Sequence, residues 1–173
     1  MKIGILSDSH SKVDLARETI DFLIDEGAEF LIHAGDIVES STLELLANCS
    51  KPYIAVYGNN DAHLVHHHNK YNLVQEPYYF KLVDTTFKLM HLPFYLSGDA
   101  EVIIFGHTHK FEVDYKGKSL YINPGEVCAR NKPRSESVLL NLKESKFIVN
   151  YYTKKLKNKK FELKESFSFK RVK

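Results

Sequence analysis

Four times in this chain a short apolar run stops at polar residues able to hold a metal ion: "KIGILSDSH", "FLIHAGD", "YIAVYGNND" and "VIIFGHTH". Runs of this length bounded by turn residues read as buried strands. The first three are separated by helical segments, and strand–helix–strand units imply parallel pairing with right-handed crossovers. Their carboxyl ends then share one edge, which is where open α/β sheets bind ligands. The pattern brings Asp8 and His10, Asp36, Asn59, and the pair His107 and His109 to that edge, with His91 arriving from the end of a hairpin strand. Glycines at 35, 58 and 106 each precede a candidate ligand and would allow the sharp turn that exposes it.

Between the strands, residues 12–26 carry Val13, Ala16, Ile20, Leu23 and Ile24 at helical spacing, and Gly27 stops the pattern. The "STLE" at 41–44 matches a capping box ahead of a second, short helix. After residue 77 the texture changes: "YYFKLVDTTFKLMHL", "FEVDYKGKSLYINPG" and "SVLLNLKESKFIVNYY" each read as two strands around a tight polar turn. No internal repeat or linker interrupts the pattern. With 173 residues, 43% of them hydrophobic, the chain suits one well-buried α/β domain with a mixed sheet or two stacked sheets.

Charge divides the chain. Residues 153–173 hold nine Lys/Arg against two Glu, leaving fifteen bases against twenty acids in residues 1–152. A basic end on an acidic body fits either a nucleic-acid contact or a lysine-protected edge strand. Phe161, Leu163, Phe167 and Phe169 share one parity, which favours the strand. We therefore expect a domain over 1–152 and a basic C-terminal strand extension over 153–173, packed on the same domain or at a subunit interface; a homodimer or homotetramer stays open. No stretch is apolar enough for a bilayer, so no membrane partner is expected. The N-terminal run ends at Ser7 without a cleavage site and reads as a first strand. Cys49 and Cys128 have no CxxC spacing and are expected to be structural, and a reducing cytoplasm fits best.

At this point the sequence resembles a known family. "SDSH", "HAGD", "YGNND", "MHL" and "FGHTH", in that order, are similar to the signature of the calcineurin-like metallophosphoesterases, and "INPGE" resembles their small prokaryotic phosphodiesterase branch. The resemblance covers about residues 1–152. It implies a single-domain, four-layer αββα sandwich of two mixed β-sheets flanked by helices. It also implies a two-metal site, with Asp8, His10 and His109 on one ion, Asn59, His91 and His107 on the other, and Asp36 bridging them. Oxygen and imidazole ligands without thiolate suit Mn²⁺, the first expectation, as well as Ni²⁺, Fe or Zn²⁺. Two such ions about 3.5–4 Å apart can polarise a phosphoryl oxygen and share a hydroxide that attacks phosphorus in line, so Asp36, Asn59 and His91 are the expected catalytic residues.

Two departures bear on specificity. Many members of the superfamily have His after the ligand Asn; here it is Asn60, which cannot act as a general acid at neutral pH. Leu92 stands where the family usually has Gly. The implied activity is a phosphodiesterase that favours small esters with weakly basic leaving groups, and Asn60, His63 and Arg130 are its candidate substrate contacts. His66, His67 and His68 read as a solvated run, His33 as a packed histidine, Lys132 and Arg134 beside Arg130 as either holders of a substrate phosphate or a plain basic loop, and Asn123 as a support behind the ligands. The acidic body disfavours long nucleic acid. The alternative is a protein-interaction scaffold that keeps the fold without turnover, like the metallophosphoesterase-like subunit of retromer.

Overall fold

The computed structural model describes residues 1–172; Lys173, the last of the basic segment, lies outside the described residues. Two mixed sheets stack face to face. Strands β1 (Lys2–Leu6), β2 (Phe30–His33), β3 (Tyr53–Val56) and β4 (Leu73–Val74) run parallel, and β10 (Arg134–Leu142), β11 (Lys146–Lys155) and β12 (Glu162–Lys170) extend their sheet antiparallel in the order β12-β11-β10-β1-β2-β3-β4. The second sheet joins β5 (Tyr78–Leu82), β6 (Thr85–Leu89), β7 (Val102–Ile104), β8 (Phe111–Lys116) and β9 (Ser119–Pro124) in the order β5-β6-β7-β9-β8.

Alternation along the strands places the core between the sheets. Ile3, Ile5, Ile32, Val56, Phe87, Leu89, Val102, Ile104, Leu120, Val138 and Leu140 form one buried cluster there. On the far face of the seven-stranded sheet lie α1 (Val13–Asp25) and α2 (Ser40–Asn48), which bury Ala16, Ile20, Leu23, Leu43 and Leu46. Sequence spacing located α1 closely because an amphipathic stripe repeats at the helical period. The capping box does not form. The helix begins at Ser40 with Glu39 at its N-cap and no side-chain cap, so Ser41 lies within the first turn, and Glu44 faces Lys70 (3.6 Å) and the Tyr71 hydroxyl (3.3 Å).

Beyond the five-stranded sheet the outermost layer is the connection of residues 92–101 rather than a helix. It covers a small cluster of Met90, Ala100, Ile103 and Phe105. Lys88, 1% exposed, reaches out of this layer to Asp99 (2.9 Å) and the Ser97 hydroxyl (2.9 Å), so the loop is fixed by an ion pair as well as by apolar packing.

The last strand shows where parity misled. A register shift between Tyr151 and Tyr152 leaves Lys164 outside the pairing, and a bulge of this kind turns the residues on either side of it to opposite faces. Phe161 therefore stacks on Phe22 of α1 (centroids 4.4 Å apart), while Phe167 and Phe169 pack toward the inter-sheet core beside Phe111 and Tyr115. Leu163 packs on neither face and is 54% exposed. Two of the basic residues meet acids of the body: Lys154 pairs with Glu18 of α1, and Arg171 with Glu101 at 2.6 Å.

Candidate metal centre

The carboxyl ends of β1, β2 and β3 face those of β6 and β7 across the sandwich. The loops that leave them are tied together by main-chain bonds: Asp8 N–H to Gly35 O (3.0 Å), His10 N–H to Asp36 O (2.9 Å) and Gly106 N–H to His91 O (3.1 Å). Five of the seven candidate ligands have positive φ: Asp8 (54°), His10 (45°), Asp36 (55°), His107 (68°) and His109 (58°). Non-glycine residues adopt this region rarely and at a cost, and such residues cluster at functional sites. The candidate ligands themselves therefore make the sharp turns. Gly58 and Gly106 serve a different purpose, close approach: a Cβ at 58 would lie 2.2 Å from the Asp36 nitrogen, and one at 106 would lie 2.1 Å from Ser7 Oγ.

All seven side chains meet. Around Asp8, His109 Nε2 lies 3.2 Å from Asp8 Oδ1 and 3.3 Å from His10 Nε2. The other ring nitrogen of His109 donates to Glu126 Oε2 (2.6 Å), which fixes the proton on Nδ1 and turns a lone pair toward Asp8. Asp8 Oδ1 is buried and has no hydrogen-bond donor among the described residues. A carboxylate lone pair thus faces an imidazole lone pair in a buried site, an arrangement that a cation resolves. Asp8 Oδ2, by contrast, accepts from the Ser7 hydroxyl (2.7 Å) and His107 N–H (3.2 Å).

The second cluster has the same logic. His91 Nδ1 donates to Ala34 O (2.9 Å), leaving Nε2 to face Asn59 Oδ1 (3.1 Å) and Asp36 Oδ1 (3.4 Å); His107 Nδ1 is 3.0 Å from the same Asn59 oxygen. Asp36 lies between the clusters, its Oδ2 3.7 Å from His10 Nε2. The donor set is oxygen and imidazole throughout, and it fits divalent transition ions.

Electrostatics point the same way. Burial opposes ionisation of Asp36, yet hydrogen bonds from His91 and Asn60 with the His91 charge hold its carboxyl far below the usual range. Burial would depress His91, but the hydrogen bond and charge of Asp36 overcome it and raise the imidazole above its ordinary value. Burial raises Asp8 and lowers His10, the latter with help from the Arg130 charge. His33 is buried against Ser9 Oγ (3.0 Å) and pushed down to about 3 by desolvation, as a packed neutral histidine.

The candidate substrate contacts are distributed unevenly. Asn60 stands in the site, but its side chain donates to Asp36 Oδ2 (2.7 Å) and its backbone N–H to Oδ1 (3.0 Å). His63 is exposed and its Nε2 lies 2.7 Å from Val38 O, so it is occupied with that loop. Arg130 is exposed at the rim near His10. Asn123 donates to Gly106 O (2.9 Å) and the Thr108 hydroxyl (2.9 Å), supporting the loop between His107 and His109.

Three buried or half-buried acids escaped the sequence reading. Asp61 accepts from the N–H groups of Ile37 (3.1 Å), Val38 (2.7 Å) and Gly58 (2.7 Å), locking the Asp36 loop to the Asn59 loop. Glu76 accepts from His91 N–H (2.6 Å) and Leu92 N–H (2.8 Å). Glu126 holds His109 and also takes the N–H groups of Asn131 and Lys132, both at 2.8 Å. Burial opposes its ionisation, but the His109 and backbone bonds lower its pKa overall. Only position hinted at them: Asp61 closes "GNND" and Glu126 closes "NPGE". Cys128 lies behind His109, 3.9 Å from Nδ1, and burial pushes its thiol up to about 12, which leaves it neutral and structural.

The family model described as calcineurin-like phosphoesterase superfamily domain matches residues 1–145. The protein named phosphodiesterase MJ0936 of Methanocaldococcus jannaschii is 33% identical over 141 residues, 74% of this chain and 85% of that protein. A solved structure described as a novel archaeal phosphodiesterase is 26% identical, with a TM-score of 0.74 over 98% of this chain and 99% of that one. Vps29 of Chaetomium thermophilum, at 11% identity, shares the fold with a TM-score of 0.78 over 99% of this chain and 100% of that one. With its motifs at the strand ends and the family model spanning most of its length, this chain belongs to the calcineurin-like phosphoesterase superfamily.

Proposed function

We propose that the chain is a dinuclear, metal-dependent phosphodiesterase acting on small esters. Asp8, His10 and His109 would hold one ion, Asn59, His91 and His107 the other, and the Asp36 carboxylate both. The observation that carries this reading is the convergence on Asp8 Oδ1, which has no hydrogen-bond partner among the described residues, of His109 Nε2 at 3.2 Å, with His10 Nε2 3.3 Å from that nitrogen. When bound, two divalent ions, Mn²⁺ in our reading, supply Lewis acidity to a phosphoryl oxygen and bring the pKa of water toward neutrality. The chain's own contribution is positional. Glu126 and the Ala34 carbonyl set the tautomers of His109 and His91. Asn60 donates to Asp36, which delocalises its charge and holds its orientation.

With Asn60 engaged on Asp36 and His63 on Val38 O, neither is placed to protonate a leaving group. This supports a preference for diesters that leave as weakly basic oxyanions. The acidic body and small site support a small cytoplasmic substrate over long nucleic acid. A screen of the purified protein with Mn²⁺ against phosphomonoesters, phosphodiesters and cyclic nucleotides tests it. Turnover of aryl diesters ahead of alkyl monoesters supports the reading; monoesters ahead of diesters would overturn it. Catalytic silence across the panel would favour the scaffold instead.

A further inference from the structure

Next to the Asn59 and His91 cluster a cavity of about 410 Å³ opens among Tyr57, Ala62, Val65, Gln75, Glu76 and Leu92, with Asn59 on its rim. We propose that this cavity is a subsite for the uncharged aromatic ring of the ester group that stays on phosphorus, a refinement that rests on the phosphodiesterase reading.

Continuity with the reactive site comes from two residues. Asn59 is both a candidate ligand and part of the lining, and Leu92 follows His91 directly. A group esterified to a phosphorus held there could enter this cavity. The wall chemistry selects the occupant. Ala62, Val65, Leu92 and the Tyr57 ring are apolar surface, which suits a ring rather than a sugar or a glycerol-like chain. The Glu76 carboxylate, tied to the backbone of His91 and Leu92, disfavours a second phosphate or a carboxylate. The Gln75 amide, also in the lining, can bond a polar edge of the ring. Phenols and nucleobases share this chemistry. Leu92, which stands where the family usually has Gly, gains a role here, forming one wall of the ring site.

The test uses the full chain. Phenol and adenosine serve as ring probes, with ribose and inorganic phosphate as controls, in saturation-transfer NMR on metal-free protein. Val65→Trp fills the cavity from a position that is 47% exposed, so its folding should be preserved. Ala62→Phe provides a second filling variant in case the first fails to fold. We expect phenol and adenosine, but not ribose, to bind the parent protein, and both to be weakened at least about tenfold in the filled variants. The kcat/KM for bis(4-nitrophenyl) phosphate should fall at least about tenfold, while methyl 4-nitrophenyl phosphate, whose methyl group still fits, stays within about threefold. Absent ring binding, or equal losses for the two diesters, would overturn the subsite. If rings bind and the filled variants lose them while no diester is hydrolysed, the subsite stands and the phosphodiesterase reading falls. If diesters are hydrolysed and filling changes nothing, the reverse holds.

Discussion

Replacing Glu126 by glutamine is the sharpest perturbation the structure offers. Glu126 Oε1 accepts two backbone N–H groups, from Asn131 and Lys132, whereas Oε2 accepts the Nδ1–H of His109 and, more weakly, the Cys128 thiol. A glutamine satisfies the first pair with its carbonyl oxygen and presents its NH₂ to His109. The imidazole then accepts at Nδ1 and carries its proton on Nε2, 3.2 Å from Asp8 Oδ1, where the lone pair had been. Holding metal requires the opposite tautomer, with two donors facing each other in a buried site. Orienting partners of this kind typically contribute about 10–100-fold to metal affinity, which corresponds to about 1.4–2.7 kcal/mol. The metal-free fold should lose no more than about 1 kcal/mol, since the backbone bonds survive, or a Tm shift of about 2–4 °C. Glu126→Ala, by contrast, orphans the His109, Asn131 and Lys132 N–H groups at about 1–3 kcal/mol each, together with the weak Cys128 thiol donor, and should destabilise the fold severely. The assay is calorimetric titration of chelator-treated protein with Mn²⁺, alongside thermal unfolding. Unchanged Mn²⁺ affinity in the glutamine variant, with the Tm reduced, would refute the argument and leave Glu126 a purely structural residue.

Three further outcomes are expected. Deleting residues 156–173 removes β12 and uncovers Phe111, Tyr115 and Phe22, so Tm should fall by about 6–12 °C for a loss of about 3 kcal/mol; an unchanged melting curve would contradict the packing. Asp99 is pulled down to about 2 because bonds from Tyr79 and Lys88 outweigh its desolvation. Its folded pKa lies below the ordinary 3.8, so its stabilising effect is complete above that value and lost as pH falls toward 2. The Tm difference between the parent and Asp99→Asn should therefore shrink between pH 5 and pH 3, and a constant difference would refute the assignment. Among aryl and alkyl phosphodiesters, kcat/KM should fall steeply with leaving-group pKa, by at least about tenfold between the aryl and alkyl members; a flat series would mean that a residue other than Asn60 or His63 donates the proton.

The placement of the candidate site was largely legible because its residues lie at the carboxyl ends of short apolar runs, the edge where open α/β sheets bind ligands. The spacing of "SDSH", "HAGD" and "FGHTH" survives translation into geometry because each run is a buried strand of fixed direction. The hairpins were legible because alternation at period two is a strong signal. What stayed hidden depends on the third dimension. Glu126 lies 17 residues from His109, and Glu76 lies 15 from His91, with no local pattern to connect them. Parity along 161–169 reads as one face only while pairing is regular, and the bulge at Lys164 breaks it. "STLE" satisfies a capping rule, but tertiary packing starts α2 at Ser40, and Glu44 then bonds elsewhere. Nor does sequence pattern reveal that a loop, fixed by Lys88 and Asp99, covers the outer face of the second sheet.

The central claim is that two ions share Asp36 and that hydrolysis depends on both. The direct measurement is Mn²⁺ bound per chain, followed alongside hydrolysis of bis(4-nitrophenyl) phosphate, as chelator-treated protein is titrated in the parent and in Asp36→Asn. The account predicts no activity at zero metal and activity that rises to saturation near two ions per chain. In Asp36→Asn it predicts that both binding and hydrolysis are lost, because the bridging carboxylate offsets repulsion between the cations. Hydrolysis without added metal, or an Asp36→Asn protein that still binds two ions and turns over, would contradict it.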